Sequence, residues 1–184
     1  MENSLQNPTK IASKWAIIYV VTSIVITYAF QLLNIDQNSA FKFLGYIPFI
    51  AFLLLTQKEY RDQLGGYLTF GEGFSAGFRY AVFSGLLLAV FIYIYLAFLS
   101  PQVLEQSMTD QQGKMAQQGL SQEQIDKAME IGKKYGPIIG AFGAAVGSAI
   151  LGAIVALIGA AIFKKERSIT DIENESTQYQ DPAV

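Results

Sequence analysis

Apolar positions along this chain fall into long charge-free runs, and the charges collect between them. The clearest run is the last. Ile138 to Phe163 carries no charged residue, and about 20 apolar residues in a helix are enough to cross a bilayer. Gly136, Gly140, Ala144, Ser148, Gly152, Ala156 and Ala160 place a small residue at every fourth position of this stretch. Small residues at that spacing let a second backbone come close. The first run, Trp15 to Leu33, is likewise free of charge. Its hydroxyls, on Thr22, Ser23 and Thr27, can return hydrogen bonds to carbonyls one turn back. The run exceeds the h-region of a cleaved signal peptide, about 7–15 residues, and no small-residue cleavage motif follows it, so it reads as a retained span.

Two further runs lie between these. The second span, 40–56, is the shortest and includes Lys42, whose stem can lie buried while its ammonium reaches the surface. Pro48 lacks an N–H, frees the carbonyl of Leu44 and predicts a kink. A re-entrant hairpin is the alternative for so short a run. The third span, 72–99, opens on Thr69-Phe70-Gly71-Glu72, a capping box. It closes at Ser100-Pro101, because a residue before proline avoids the α region.

The long connection between spans three and four has its own helix signal. Ser121 and Gln124 form a second capping box, and Leu120 with Ile125 a hydrophobic staple. Glu123 with Lys127, and Glu130 with Lys134, are i,i+4 pairs in the favourable order. These features predict a short amphipathic helix over about 121–135, which Gly136-Pro137 ends or bends into span four. Met108 to Gln118 is polar and Gln-rich and reads as weak helix or loop. The predicted fold is all-α: a four-helix transmembrane bundle forming one integral domain over 1–167, with the short helix in the outer loop. Residues 168–184 form a polar tail that a partner would have to order.

Composition sharpens this picture. Apolar residues make up 52% of the chain and charged residues 15%, whereas soluble domains carry nearer a quarter charged. The net charge of −2 gives no electrostatic footprint for nucleic acid. The chain has neither Cys nor His, which removes thiolate and imidazole chemistry and the usual zinc ligands. No metal or cofactor site is predicted. With four crossings both termini share one side. That side carries Lys10, Lys14, Lys58, Arg61, Arg79, Lys164, Lys165 and Arg167 against Lys42, Lys114, Lys127, Lys133 and Lys134 on the other. The positive-inside rule then puts both termini in the cytoplasm. Trp15, Tyr19, Tyr60, Tyr67 and Phe70 fall at the inner surface, and Tyr93, Tyr95 and Tyr135 at the outer.

The small-residue ladder has a geometric consequence. Each i+4 step advances about 400°, so the row drifts by about 40° per step. One straight helix can follow such a row for only two or three steps. The ladder therefore predicts two partners, one within the chain and one outside it, the second being another copy or a different membrane protein.

Lys58-Glu59-Tyr60-Arg61, then Gly65-Gly66-Tyr67-Leu68-Thr69-Phe70-Gly71-Glu72-Gly73-Phe74 leading into an apolar span, resembles the domain-of-unknown-function family 4199 of small Bacteroidota integral membrane proteins. Gln117 to Met129 and the closing glycine-rich span before Phe163-Lys164-Lys165 fit the same family. The resemblance covers roughly Lys10 to Arg167. It implies a four-span protein of the bacterial inner membrane and carries no established activity, so no catalytic residue is transferred.

Candidate chemistry is sparse. Lys58, Arg61, Glu72 and Arg79 could flank a cytoplasmic polar cluster, although solvated interfacial charges are the favoured explanation. The glycines of Gly65 to Gly77 suggest an anion site at a helix start. No lysine–hydroxyl pair follows, and Glu72 would repel an anion there. The reading favoured by the sequence is a non-enzymatic structural or accessory subunit that acts through helix packing in the bilayer. The alternative is a small oligomeric transporter or channel whose fourth span lines the path. An enzyme ranks last.

Overall fold

The computed structural model describes residues 7–33 and 40–168, with side chains throughout except at 40–42. The side chain of Lys42 and all of the predicted tail but Ser168 lie outside the described residues. The chain is all-helical. Helix α1 spans Pro8–Leu32, α2 Tyr46–Gln63, α3 Phe70–Ile94, α4 Pro101–Gln117 and α5 Gln122–Phe163. A 3-10 turn, Ala40–Gly45, leads into α2, and a π-helical turn, Tyr95–Leu99, closes α3. Among the described residues, three segments are long and apolar enough to cross a membrane: Pro8–Leu32, Phe70–Leu99 and Gln122–Phe163.

Local sequence explains most boundaries. Asn7 caps α1, its side chain accepting from the amide of Thr9 at 2.9 Å. The Thr69–Glu72 box forms in both directions: the Thr69 amide donates to Glu72 Oε2 at 2.9 Å, and the Glu72 amide to Thr69 Oγ1 at 3.3 Å. Ser121 and Gln124 repeat the pattern at 3.0 and 3.4 Å. Helices α2 and α4 both end on glycines with positive φ, Gly65 at 76° and Gly119 at 77°. Paired backbone bonds run back over each of these two helix ends, from Gly66 to Arg61 and from Leu120 to Met115. This is the Schellman arrangement, which strains any residue with a Cβ.

Three expectations change. Pro48 does not kink the middle of a helix. It sits in the first turn of α2, where amides have no intrahelical acceptor and a missing N–H costs nothing. Gly136-Pro137 does not end a short outer helix, because α5 continues through Pro137 without a break. Proline 137 frees only the carbonyl of Lys133, which lies in the polar part of the helix where other partners can reach it. Met108 to Gln117 is regular helix rather than loop. The second run forms α2, yet its last turns carry Lys58, Glu59, Arg61 and Asp62, so α2 is not among the helices apolar enough to span alone.

The chain divides into two compact units, Met1–Tyr80 with Gly152–Val184, and Ala81–Leu151. In the first, α1 and α2 run antiparallel. Trp15 stacks on Phe52 with centroids 5.5 Å apart, and Tyr19 meets Phe49 edge-on at 5.3 Å. Tyr80 completes this aromatic group, 5.6 Å from Phe49, and its hydroxyl donates to the Phe49 carbonyl at 3.2 Å. Below them Gln57, fully buried, joins three helices. Its Nε2 donates to the carbonyl of Gly73 in α3 at 2.9 Å and to that of Ala156 in α5 at 2.8 Å. Both acceptors are carbonyls, which can only accept, so chemistry fixes the amide orientation. Glycines make room for it. A Cβ on Gly77 would lie 2.8 Å from Gln57 Nε2, and one on Gly159 would run into Gln57 Oε1 and come within 2.8 Å of Leu54 Cδ2.

In the second unit α3 and α5 again pair antiparallel. Gly85 lies against Ala145 and Ser148, and Gly140 against Leu96. The outer connection is a hairpin of α4 and the start of α5, with Leu104 against Gly136 and Met108 against Gly132.

The glutamine pin gives a direct prediction. Gly159→Ala should lower the thermal midpoint of the purified protein in detergent, because the added methyl strikes the Gln57 amide; overpacking of this kind costs about 1–3 kcal/mol. In a Gln57→Ala background the same substitution should cost much less. A double-mutant cycle measured by thermal unfolding checks this, with a coupling of about 1 kcal/mol or more expected for contacting residues.

Candidate functional site

The residues singled out in the sequence divide between the two units. The small-residue row faces inward throughout: Gly136, Gly140, Ala144 and Ser148 are half-buried, and Gly152, Ala156 and Ala160 are buried. In-chain neighbours lie against Gly136, Gly140, Ser148, Ala156 and Ala160. A Cβ on Gly73 would lie 3.3 Å from Ala160, one on Gly77 2.9 Å from Ala156, and one on Gly85 3.0 Å from Ser148. At Gly140 the neighbour is Leu96, and at Gly136 it is Leu104 of α4. Within the chain the row meets first α3 and then, past the π-helical turn, α4. Gly143 and Gly147, off the row, have open space beside them.

Lys58, Arg61, Glu72 and Arg79 do not converge on one pocket. Lys58 points to solvent. Arg61 lies 3.5 Å from Asp62 and over the ring of Phe163. Arg79 donates to Thr9 Oγ1 at 2.7 Å, tying α3 to the first turn of α1. Glu72 is engaged in its cap, and lines a cleft of about 350 Å³ with Tyr67, Lys165 and Arg167. Tyr60 senses both of these charges. Burial pushes its phenol above the usual range, Glu72 adds to the rise and Arg79 opposes it. These positions gather because α1 and α3 start, and α2 and α5 stop, at one end of the unit. Backbone bonds between Leu68 and Lys165, at 2.8 and 2.9 Å, close that end. Lys165 and Arg167 both stand over the ring of Tyr67, at 5.1 and 5.0 Å.

A carboxylate not flagged by the sequence joins α1 to α2. Glu59 accepts from Lys14 Nζ at 2.6 Å and from the Trp15 indole at 2.7 Å. Its only sequence signal was membership of a charged cluster.

A larger cleft, about 650 Å³, lies in the second unit between the end of α3, α4 and the polar start of α5. Leu96, Ala97 and Ile138 line its apolar part. Glu105, Thr109, Gln112, Lys133 and Lys134 line the polar part. Sequence reasoning missed it because α4 was not recognised as a regular helix. Among the described residues no group of acidic side chains is placed to hold a metal ion.

These features define an all-helical protein with three membrane-length helices, tied by buried polar side chains and carrying its charges at helix ends. The chain belongs to the DUF4199 family, proteins of unknown function, whose family model matches residues 14–165. No curated protein and no solved structure matches it.

The Tyr67 contacts predict a local effect. Tyr67→Ala should leave the helices folded but speed tryptic cleavage at Lys164, Lys165 and Arg167 several-fold. Peptide mass spectrometry after limited digestion in detergent checks this; unchanged cleavage would show that the ring does not hold the segment.

Proposed function

We propose that this chain is an integral protein of the bacterial inner membrane that acts as a structural or accessory subunit through its helix surfaces. The observation that carries this reading is how its buried polar groups are used. Gln57 gives both amide hydrogens to helix carbonyls, Tyr80 gives its hydroxyl to Phe49, and Thr56 gives its hydroxyl to Phe52. Transport and proton-relay proteins leave ionisable groups facing a path at membrane depth. Here the apolar runs Trp15–Leu33, Tyr80–Leu99 and Ile138–Phe163 carry no Asp, Glu, Lys or Arg. The outward faces, by contrast, are apolar: Val21, Val25, Leu86, Ile150 and Ile154 are each more than half exposed. In a membrane these faces meet lipid or another helix.

Four crossings with both termini in the cytoplasm suit the arrangement. Helix α2 has 18 residues and is about 27 Å long at about 1.5 Å per residue. The 3-10 turn of 6 residues adds about 12 Å at about 2.0 Å per residue. Together they return alongside α1, whose 25 residues give about 38 Å at the same rise. The lysines and arginines at the closed end of the first unit then face the cytoplasm. A transporter or channel lined by the fourth span draws no support from that span's small face, which α3 and Gln57 occupy.

Because the natural chain has no Cys, single cysteines report sidedness cleanly. Gln111→Cys should react with a membrane-impermeant maleimide in intact spheroplasts, and Lys10→Cys and Lys164→Cys only after lysis. Labelling of Lys10→Cys in intact spheroplasts, with Lys164→Cys still protected, would remove the four-crossing topology. The accessory role itself is tested by affinity purification from native membranes in mild detergent, paired with flux assays in liposomes. A partner in fixed ratio without flux is the expected result. Solute flux that disappears when Ser148 or Gly152 is enlarged would replace this reading with transport.

A further inference from the structure

The cleft between α4 and α5 opens on an apolar end, where Leu96, Ala97 and Ile138 belong to the apolar runs of α3 and α5. Glu105 on α4 and Lys133 and Lys134 on α5 come next along the hairpin, and Met108 and Met129 lie further out. Its volume of about 650 Å³ falls in the usual range for ligand sites, about 300–1,000 Å³. A site with an apolar end and charges directly beside it, where a membrane-length helix leaves its apolar run, suits an amphiphile at the membrane surface.

The charges narrow the class. Opposite charges on two walls of one cleft would be expected to pair, yet among the described residues Glu105 forms no salt bridge and neither does Lys133 or Lys134. Lys134 stands over Tyr135 instead. Other pairs on these helices do close: Lys127 meets Glu123 at 2.7 Å. The carboxylate and the ammonium groups therefore line one cleft without an ion pair between them. Pro137, also on the wall, has no N–H, so it gives no hydrogen bond to the Lys133 carbonyl. The cleft thus offers ammonium donors for an anion, and a carboxylate with a spare carbonyl for a cation that donates hydrogen bonds.

We propose that the cleft binds a phospholipid whose headgroup joins a phosphate to a primary amine. The phosphate lies against Lys133 and Lys134, the amine against Glu105, and the start of an acyl chain against Leu96 and Ile138. A primary ammonium has three N–H donors for these acceptors, and a quaternary ammonium has none. This inference goes beyond the accessory role and holds for either orientation of the chain in the bilayer, so the sidedness experiment above does not decide it.

Native mass spectrometry of the full chain in detergent, titrated with phosphatidylethanolamine, phosphatidylcholine and phosphatidylglycerol, tests it. The wild-type protein should retain phosphatidylethanolamine about tenfold more tightly than the other two, a difference of about 1.4 kcal/mol. Glu105→Gln should erase the preference for the amine while leaving phosphatidylglycerol binding unchanged. Lys133→Gln with Lys134→Gln should weaken all three lipids together. Glu123→Gln, which breaks a pair outside the cleft, should change nothing. All these side chains lie at the surface, so folding is preserved, and thermal midpoints verify it. Equal binding of the three lipids by the wild type, or a preference that survives Glu105→Gln, would overturn the assignment. So would displacement of the lipid by soluble phosphoethanolamine at equal concentration, since that would reassign the site to a free solute.

Discussion

The first unit depends on one primary amide. Gln57 is buried, and each of its two N–H groups meets a carbonyl on a different helix. A helical carbonyl already accepts one hydrogen bond but keeps a second lone pair, so the amide adds bonds without breaking either helix. This geometry is possible only where three backbones come close, and Gly77 and Gly159 supply that approach. Glycine is a poor helix former in water, but in hydrocarbon no other backbone state is workable. The amide and the glycines are therefore one device. Filling either slot displaces the other partner, and deleting the amide leaves a void between helices that have lost their register bonds.

Around this pin the polar contacts are graded by position. Aromatic rings and the Tyr80 hydroxyl lie deeper in the helices, while Glu59, Arg79 and Lys165 act at the helix ends. Glu59 holds α1 to α2, Arg79 holds α3 to α1, and the Leu68–Lys165 bonds hold the α2–α3 turn to the end of α5. Individually, interhelical hydrogen bonds in membranes are worth only about 0.6 kcal/mol on average. Close backbone packing contributes as well, as where Gly73 meets Ala160 and Gly77 meets Ala156.

The sequence was most informative where the signal was local. Both capping boxes formed as read from four residues each, since a cap needs only its own turn. The prolines misled for a shared reason. A proline's effect depends on where it falls in its helix: Pro48 opens α2 and Pro137 passes through α5, and neither boundary could be placed before the flanking turns were known. Gln57 was illegible for a different reason. It stands among apolar residues near a charged cluster, and its partners are 16 and 99 positions away. No periodicity links a glutamine to Gly77 and Gly159.

The α4–α5 cleft was missed for the same non-local reason, and the contrast with the pin bears on what this protein does. In the first unit opposite charges and polar groups close on each other: Lys14 on Glu59, Gln57 on two carbonyls, Thr69 on Glu72. In the second unit Glu105 and the two lysines line one cleft without an ion pair between them. A polar group spent on its own fold is unavailable for recognition, whereas unpaired charges held on separate helices have no structural account in their own unit. The open charges, rather than the closed ones, mark where an outside molecule completes the structure.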